Sequence, residues 1–287
     1  MSNKTPNPAK LGILINRPGK FKDQRWLTAH NAWNTEDNPA NQCKTITELL
    51  DYGIRGFALD VYGDDEDSLH LQHGHANPIS STSWKKIRDE IKTWMDKNTN
   101  EIVCLFFESY LTGPSANQTP QEKSQTALAS LSHSLSAISY YHKGRAIQES
   151  AMLNKDISVL INGDTTSKPH RLFAFIEKEP DEGRQDLFPV MQSTFAENDY
   201  GNIATDPHTW VTLRPGSNLH NPLTFMNHFG ARPTGSEWDR NAPTKILQHA
   251  SDFKIKYGKY PNFISLDYIN WADDNNGPVE VLKNLYF

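Results

Sequence analysis

The chain reads as an α/β protein whose mainly parallel sheet closes into a distorted (β/α)8, or TIM, barrel. Three observations predict this. Short apolar or β-branched runs recur along the chain, amphipathic helical patterns lie between several of them, and one run, Ile102-Val103-Cys104-Leu105-Phe106-Phe107, is continuously apolar. A run of that kind suits a parallel strand covered on both faces. Strands alternating with helices imply a parallel sheet, and eight strands imply closure.

The strand-like runs are Trp26–Ala29, Ile54–Tyr62, Leu69–His73, Glu101–Phe107, Arg171–Ile176, Leu187–Met191, Leu223–Phe229 and Asn262–Leu266. Helices are predicted over Thr45–Tyr52, Ser83–Lys97, Pro120–Ser139, Pro243–Tyr257 and Pro278–Leu285. In Ser83–Lys97 the residues Trp84, Ile87, Ile91, Trp94 and Met95 form one apolar stripe, the spacing of a helix packed on a sheet. The link between the second and third runs is too short for a helix, and 199–221 shows no helical pattern, so the barrel is expected to be distorted. A doubly wound open sheet is the second architecture the pattern allows.

At 287 residues the chain is long enough for one barrel, expected over 25–287 behind an N-terminal arm, 1–24. Between Lys4 and Arg25 stand Lys4, Lys10, Arg17, Lys20, Lys22 and Arg25 against Asp23, a basic segment that reads as a solvated arm, with attraction to an anionic membrane surface as its alternative. A net charge of −5 argues against nucleic-acid binding. No apolar run approaches the ~20 residues that span a bilayer, and the start lacks the apolar core of a signal peptide, so a soluble chain is expected. Cys43 and Cys104 leave pairing open.

The candidate chemistry is positional. His30 follows the first run, Asp60 stands near the end of the second, His73 ends the third, Glu108 follows the fourth and Asp267 the eighth. In a parallel barrel the C-terminal strand ends open on one face, so these side chains are expected to converge. Two imidazoles with three carboxylates suit acid–base chemistry at phosphorus or carbonyl centres. A strand places His70 opposite His73 and His75, and no cysteine completes a set, which argues against zinc. The oxygens of Asn31, Asp60 and Glu108 suit calcium or magnesium. These residues alone stop at a metal-assisted hydrolase or lyase.

Longer motifs carry a resemblance. Thr28-Ala29-His30-Asn31-Ala32-Trp33, Asn41-Gln42, Gly53-Ile54-Arg55-Gly56-Phe57-Ala58-Leu59-Asp60-Val61-Tyr62, Leu71-Gln72-His73-Gly74 and Glu101 through Glu108 resemble the opening of the phosphatidylinositol-specific phospholipase C X-domain family. Arg171–Phe175, Phe225–Phe229 and Asn262–Tyr268 continue it to the C-terminal region. The resemblance implies a stand-alone catalytic barrel of the phospholipase C-like phosphodiesterase type. It implies that His30 and His73 are the catalytic pair, that Asp267 orients an imidazole, and that Asn31, Asp60 and Glu108 ligate Ca2+, with Mg2+ as the other candidate. The metal-independent bacterial branch has arginine where Asp60 stands. One departure is Ala58, which occupies the first position of the family's Glu-x-Asp pair and is expected to weaken metal binding.

Arg171 is a candidate phosphate ligand, with a structural ion pair as its alternative. The implied partners are a phospholipid or phosphodiester substrate and a peripheral membrane contact, for a monomer that is exported rather than strictly cytoplasmic. The rival readings are a glycerophosphodiester or sphingolipid phosphodiesterase of the same barrel type, and a non-catalytic barrel that binds inositol phosphates or a protein.

Overall fold

The computed structural model describes residues 14–35, 40–72, 81–111, 120–144, 150–177, 187–201, 206–231, 237–269 and 277–285. Among them nine strands follow in chain order: β1 (Trp26–Ala29), β2 (Gly56–Gly63), β3 (His70–Gln72), β4 (Ser81–Ser83), β5 (Val103–Leu111), β6 (Leu172–Ile176), β7 (Phe195–Glu197), β8 (Leu223–Asn227) and β9 (Phe263–Leu266). The chain groups into two compact units. One joins Lys22–Phe57 to Gln192–Phe287, and the other is Ala58–Met191 with Pro18–Phe21.

The first unit is a parallel sheet. β1 lies between β9 and the first residues of β2, with Thr28 opposite both Ser265 and Gly56. β8 pairs with β9 and β7 with β8, also in parallel. β1, β7, β8 and β9 are buried along their whole length, as parallel strands must be when helices cover them. Gly56 is required where β1 and β2 meet, because a Cβ there would stand 2.1 Å from Thr28 Oγ1. Helix Ile46–Asp51 is started by a capping box in which Thr45 and Glu48 satisfy each other's backbone amides. Helix Pro243–Tyr257 has the predicted bounds, with proline in its first turn and Gly258 left-handed at its end.

In the second unit β5 runs parallel to β6 and also pairs with β2. Helix Trp84–Lys97 buries the five predicted apolar residues, each contributing about 1.5–3 kcal/mol of burial. The third predicted run forms a strand, but it pairs antiparallel with β2, and β4 pairs antiparallel with it. A parallel return needs a crossover of a dozen or more residues, and the 64–69 link cannot supply one.

Two expectations are corrected. Leu187–Met191 is not a strand. Pro189 has no amide to donate, and only Val190 makes a bridge, to Ile176; the strand follows at β7 after a helical turn, Met191–Thr194. The described part of the basic arm is solvated at Lys20 and Lys22 but packed at Phe21 and Gln24. Phe21 is buried against Phe173 with ring centroids 5.1 Å apart, and Gln24 exchanges two hydrogen bonds with the Arg17 backbone.

Candidate functional site

Residues at the ends of β1 and β9 build a histidine–carboxylate pair within the first unit. The His30 amide donates to the Leu266 carbonyl, continuing the β1–β9 ladder by one residue. This places His30 Nδ1 2.9 Å from Asp267 Oδ1. Asp267 is only 2% exposed, and its Oδ1 also accepts from Asn41 Nδ2 at 2.8 Å. Asn41 Oδ1 in turn accepts from Asn34, while Gln42 Nε2 donates to the carbonyls of both His30 and Leu266. The Asn41-Gln42 step of the sequence motif is thus the brace that fixes both partners.

The residues that follow the pair are strained. Among the described residues, Asn31 and Tyr268 are the two non-glycine residues with positive φ, at 43° and 45°. Left-handed backbone at such residues persists only where the surroundings impose it. Asn31 is buried and its side-chain oxygen has no hydrogen-bond partner. An orphaned hard oxygen fits the coordination of a calcium or magnesium ion.

The His30 ring is stacked on Phe229, with centroids 3.7 Å apart and planes 8° from parallel. Phe229 stacks in turn on Tyr200, which is exposed. With Nδ1–H donating to Asp267, the basic lone pair of His30 lies on Nε2, the arrangement a general base needs.

The second unit holds a cluster on neighbouring strands. Asp60 and Tyr62 alternate onto one face of β2, as Glu108 and Tyr110 do on β5. The Tyr110 hydroxyl donates to Glu108, and the Tyr62 and Tyr110 rings stack at 4.7 Å. Burial first, then the charges of Asp60 and Glu108, push the Tyr62 hydroxyl up to about 12. The same three causes, with the hydrogen bond to Glu108, raise Tyr110 further. Ala58 lies two residues before Asp60, on the same face of β2. The pairing of two tyrosines with the two carboxylates was not foreseen; the i, i+2 spacing was its available signal.

The remaining expectations fall as follows. His73 lies outside the described residues, just beyond the end of β3. Glu108 stands inside β5 rather than after it, because the strand continues to Leu111. Arg171 is held by backbone carbonyls and an aromatic ring. Its Nη1 donates to the carbonyls of Met95 and Asn98 at the end of helix Trp84–Lys97, and its guanidinium lies 4.1 Å from the Tyr140 ring centroid. It precedes β6 at the end of the pair where Val103 faces Leu172. Glu108 stands five residues further along β5, roughly 16 Å away by strand rise. A guanidinium on the last carbonyls of a helix is a C-terminal cap. Cys43 is exposed and Cys104 is buried in β5, and they do not pair. Among the described residues no three or more His, Cys, Asp and Glu side chains are grouped to hold a metal, and no helix is long and apolar enough to cross a membrane.

Comparison with known proteins bears on the fold and the family. A phosphatidylinositol-specific phospholipase C from Staphylococcus aureus, in a structure concerned with modulating its membrane binding, superposes with a TM-score of 0.61 at 11% identity, over 92% of each chain. The phosphatidylinositol-specific phospholipase C of Listeria monocytogenes gives 0.54 at 12% identity, over 93% of each. This likeness shows the fold, the distorted TIM barrel of those enzymes. A PI-PLC X domain-containing protein of Arabidopsis thaliana is 22% identical over 285 residues, covering 92% of this chain, which spans 62% of that relative's length. The family model described as PI-PLC X 1 matches residues 19–279. The chain therefore belongs to the PI-PLC X domain family.

Proposed function

We propose that this chain is a phosphodiesterase of the phosphatidylinositol-specific phospholipase C type, using His30 as general base and His73 as general acid. The observation that carries the reading is the His30–Asp267 pair, whose buried carboxylate is fixed by Asn41 and leaves Nε2 as the basic nitrogen. His30 Nε2 takes the proton of a hydroxyl on the headgroup, or of water. The oxygen so freed attacks phosphorus in line, the phosphorus–oxygen bond to the leaving alcohol breaks, and His73 gives that alkoxide its proton. Attack by a neighbouring hydroxyl yields a cyclic phosphodiester. Asp267 orients His30 and stabilises the imidazolium formed in this step.

Asn31, Asp60 and Glu108 are the residues that would hold Ca2+ or Mg2+, and the orphaned Asn31 oxygen supports that assignment. Such an ion supplies electrostatic stabilisation to a phosphate carrying developing charge. Ala58 gives no ligand, and Tyr110 occupies one oxygen of Glu108, so binding is expected to be weak. A lipid substrate implies peripheral contact with a membrane, where exposed Tyr200 is a candidate for meeting lipid or sugar.

The test is cleavage of phosphatidylinositol, a lysolipid and a glycerophosphodiester side by side, with calcium, magnesium or manganese present. Release of a phosphorylated inositol headgroup is expected, and it should be lost in His30→Ala and His73→Ala. Absence of turnover on every substrate would sink the enzymatic reading. It would favour the second one, a non-catalytic binding barrel, to which Ala58 gives specific support. Undiminished turnover in excess chelator would remove the metal roles.

A further inference from the structure

Within the first unit two further imidazoles, both buried, face each other. His228, just past β8, and His249, on helix Pro243–Tyr257, are 1% and 0% exposed. Their Nδ1 atoms are 2.8 Å apart. His228 Nε2 is 2.9 Å from the Arg240 carbonyl oxygen, and His249 Nε2 is 3.0 Å from the Trp210 carbonyl oxygen. A carbonyl oxygen only accepts, so each Nε2 must carry a proton to make its contact. The Nδ1–Nδ1 contact then needs a proton of its own, since two ring lone pairs cannot meet at that distance. Three short contacts require three protons, whereas a neutral pair of imidazoles owns two.

From this count we propose that His228 and His249 act as one acid–base unit, which takes up a single proton between its two Nδ1 atoms, in the folded state, as the pH falls into the acid range. With two protons, one of the three contacts is made without a hydrogen. With three, all are complete, and the joint between the end of β8, helix Pro243–Tyr257 and the segments carrying Arg240 and Trp210 is closed.

The surroundings limit the uptake to one. Burial pushes both imidazoles down, opposed in each case by the carbonyl on Nε2. The second imidazole, Arg240 and Lys245 also act against charge on His228, and His208 acts against charge on His249. The neighbouring carboxylates are engaged elsewhere: Glu237 accepts from Arg240, Asp239 pairs with Lys245, and Asp252 with His208. A coupled pair of this kind titrates as a unit rather than as two sites. The proposal is independent of catalysis and stands whether or not turnover is found.

The test is nitrogen NMR of the full chain with ¹⁵N-labelled histidine, followed from neutral pH to the acid limit of folding. Both Nε2 atoms should be protonated at the acid end, with one strongly deshielded proton correlated to both Nδ1 nitrogens and no second added proton before unfolding. In His249→Asn the amide nitrogen stands where Nδ1 was and can give a hydrogen to His228 Nδ1, so His228 should stay neutral over the same range. Two separate one-proton steps, an unprotonated Nε2 at the acid end, or unfolding before any uptake would each overturn the proposal. If His249→Asn does not fold, the wild-type spectra decide alone, because the proton count is read there.

Discussion

Asp267 would be an unfavourable residue to bury without His30 and Asn41. A carboxylate 2% exposed keeps its charge only where donors replace water, and these two converge on one of its oxygens. Removing the charge while keeping the shape separates orientation from packing. Asp267→Asn and His30→Ala are each expected to lower kcat on phosphatidylinositol by about 10²–10⁴-fold, the usual worth of a general base, with an unchanged circular dichroism spectrum. Asn31 allows a cleaner test of the metal. Glycine accepts its positive φ without strain and removes the orphaned oxygen. Asn31→Gly is therefore expected to keep the melting temperature in chelator but to lose any calcium-induced rise seen in the parent. An equal rise in both would take Asn31 out of the ligand set.

Elements deliver these residues through register. β1 lies between β9 and β2, and the β1–β9 ladder brings the residue after each strand, His30 and Asp267, together. The β1–β2 approach depends on Gly56, where a Cβ would meet Thr28 from 2.1 Å. Gly56→Ala is expected to cost about 1–3 kcal/mol, as overpacking does, read as a lower urea midpoint at unchanged slope. Thr45→Ala, which removes the side-chain half of the capping box and leaves the backbone amide of residue 45 bonded to Glu48, is expected to cost about 1 kcal/mol, again by urea denaturation. Arg171 shows how an element end can resemble a binding feature. Arginine at the start of a strand carries no mark in sequence that tells a phosphate ligand from a helix cap. Its contacts with the carbonyls of Met95 and Asn98 are seen only in the folded chain.

At the scale of the whole molecule, acid is expected to destabilise the fold through a histidine kept neutral by burial. His142 has both ring nitrogens buried without partners, and burial first, then His170 and Lys155, hold it at about 4. An unfolded histidine titrates near 6.5. As pH falls through about 6.5 the unfolded chain gains a proton the folded one refuses, so stability drops until about pH 4, where the folded form takes it too. His142→Gln should flatten that limb of the stability–pH curve, measured by urea midpoints; an unaltered slope would show that other groups set it.

Much of this architecture is legible in the chain. Helix Pro243–Tyr257 was bounded by its proline and Gly258, the stripe from Trp84 to Met95 marked a buried face, and the motifs around His30 and Asp60 pointed to the family the chain belongs to. Periodicity and end signals are local, so sequence alone determines them. The antiparallel β3–β4 excursion, the failure of Leu187–Met191 to form a strand, the role of Arg171, the brace from Asn41 to Asp267 and the proton-short contact between His228 and His249 were decided only by tertiary structure. Each depends on which distant backbone group or side chain arrives within hydrogen-bonding reach, and that is set by packing and register, which no single window of sequence contains.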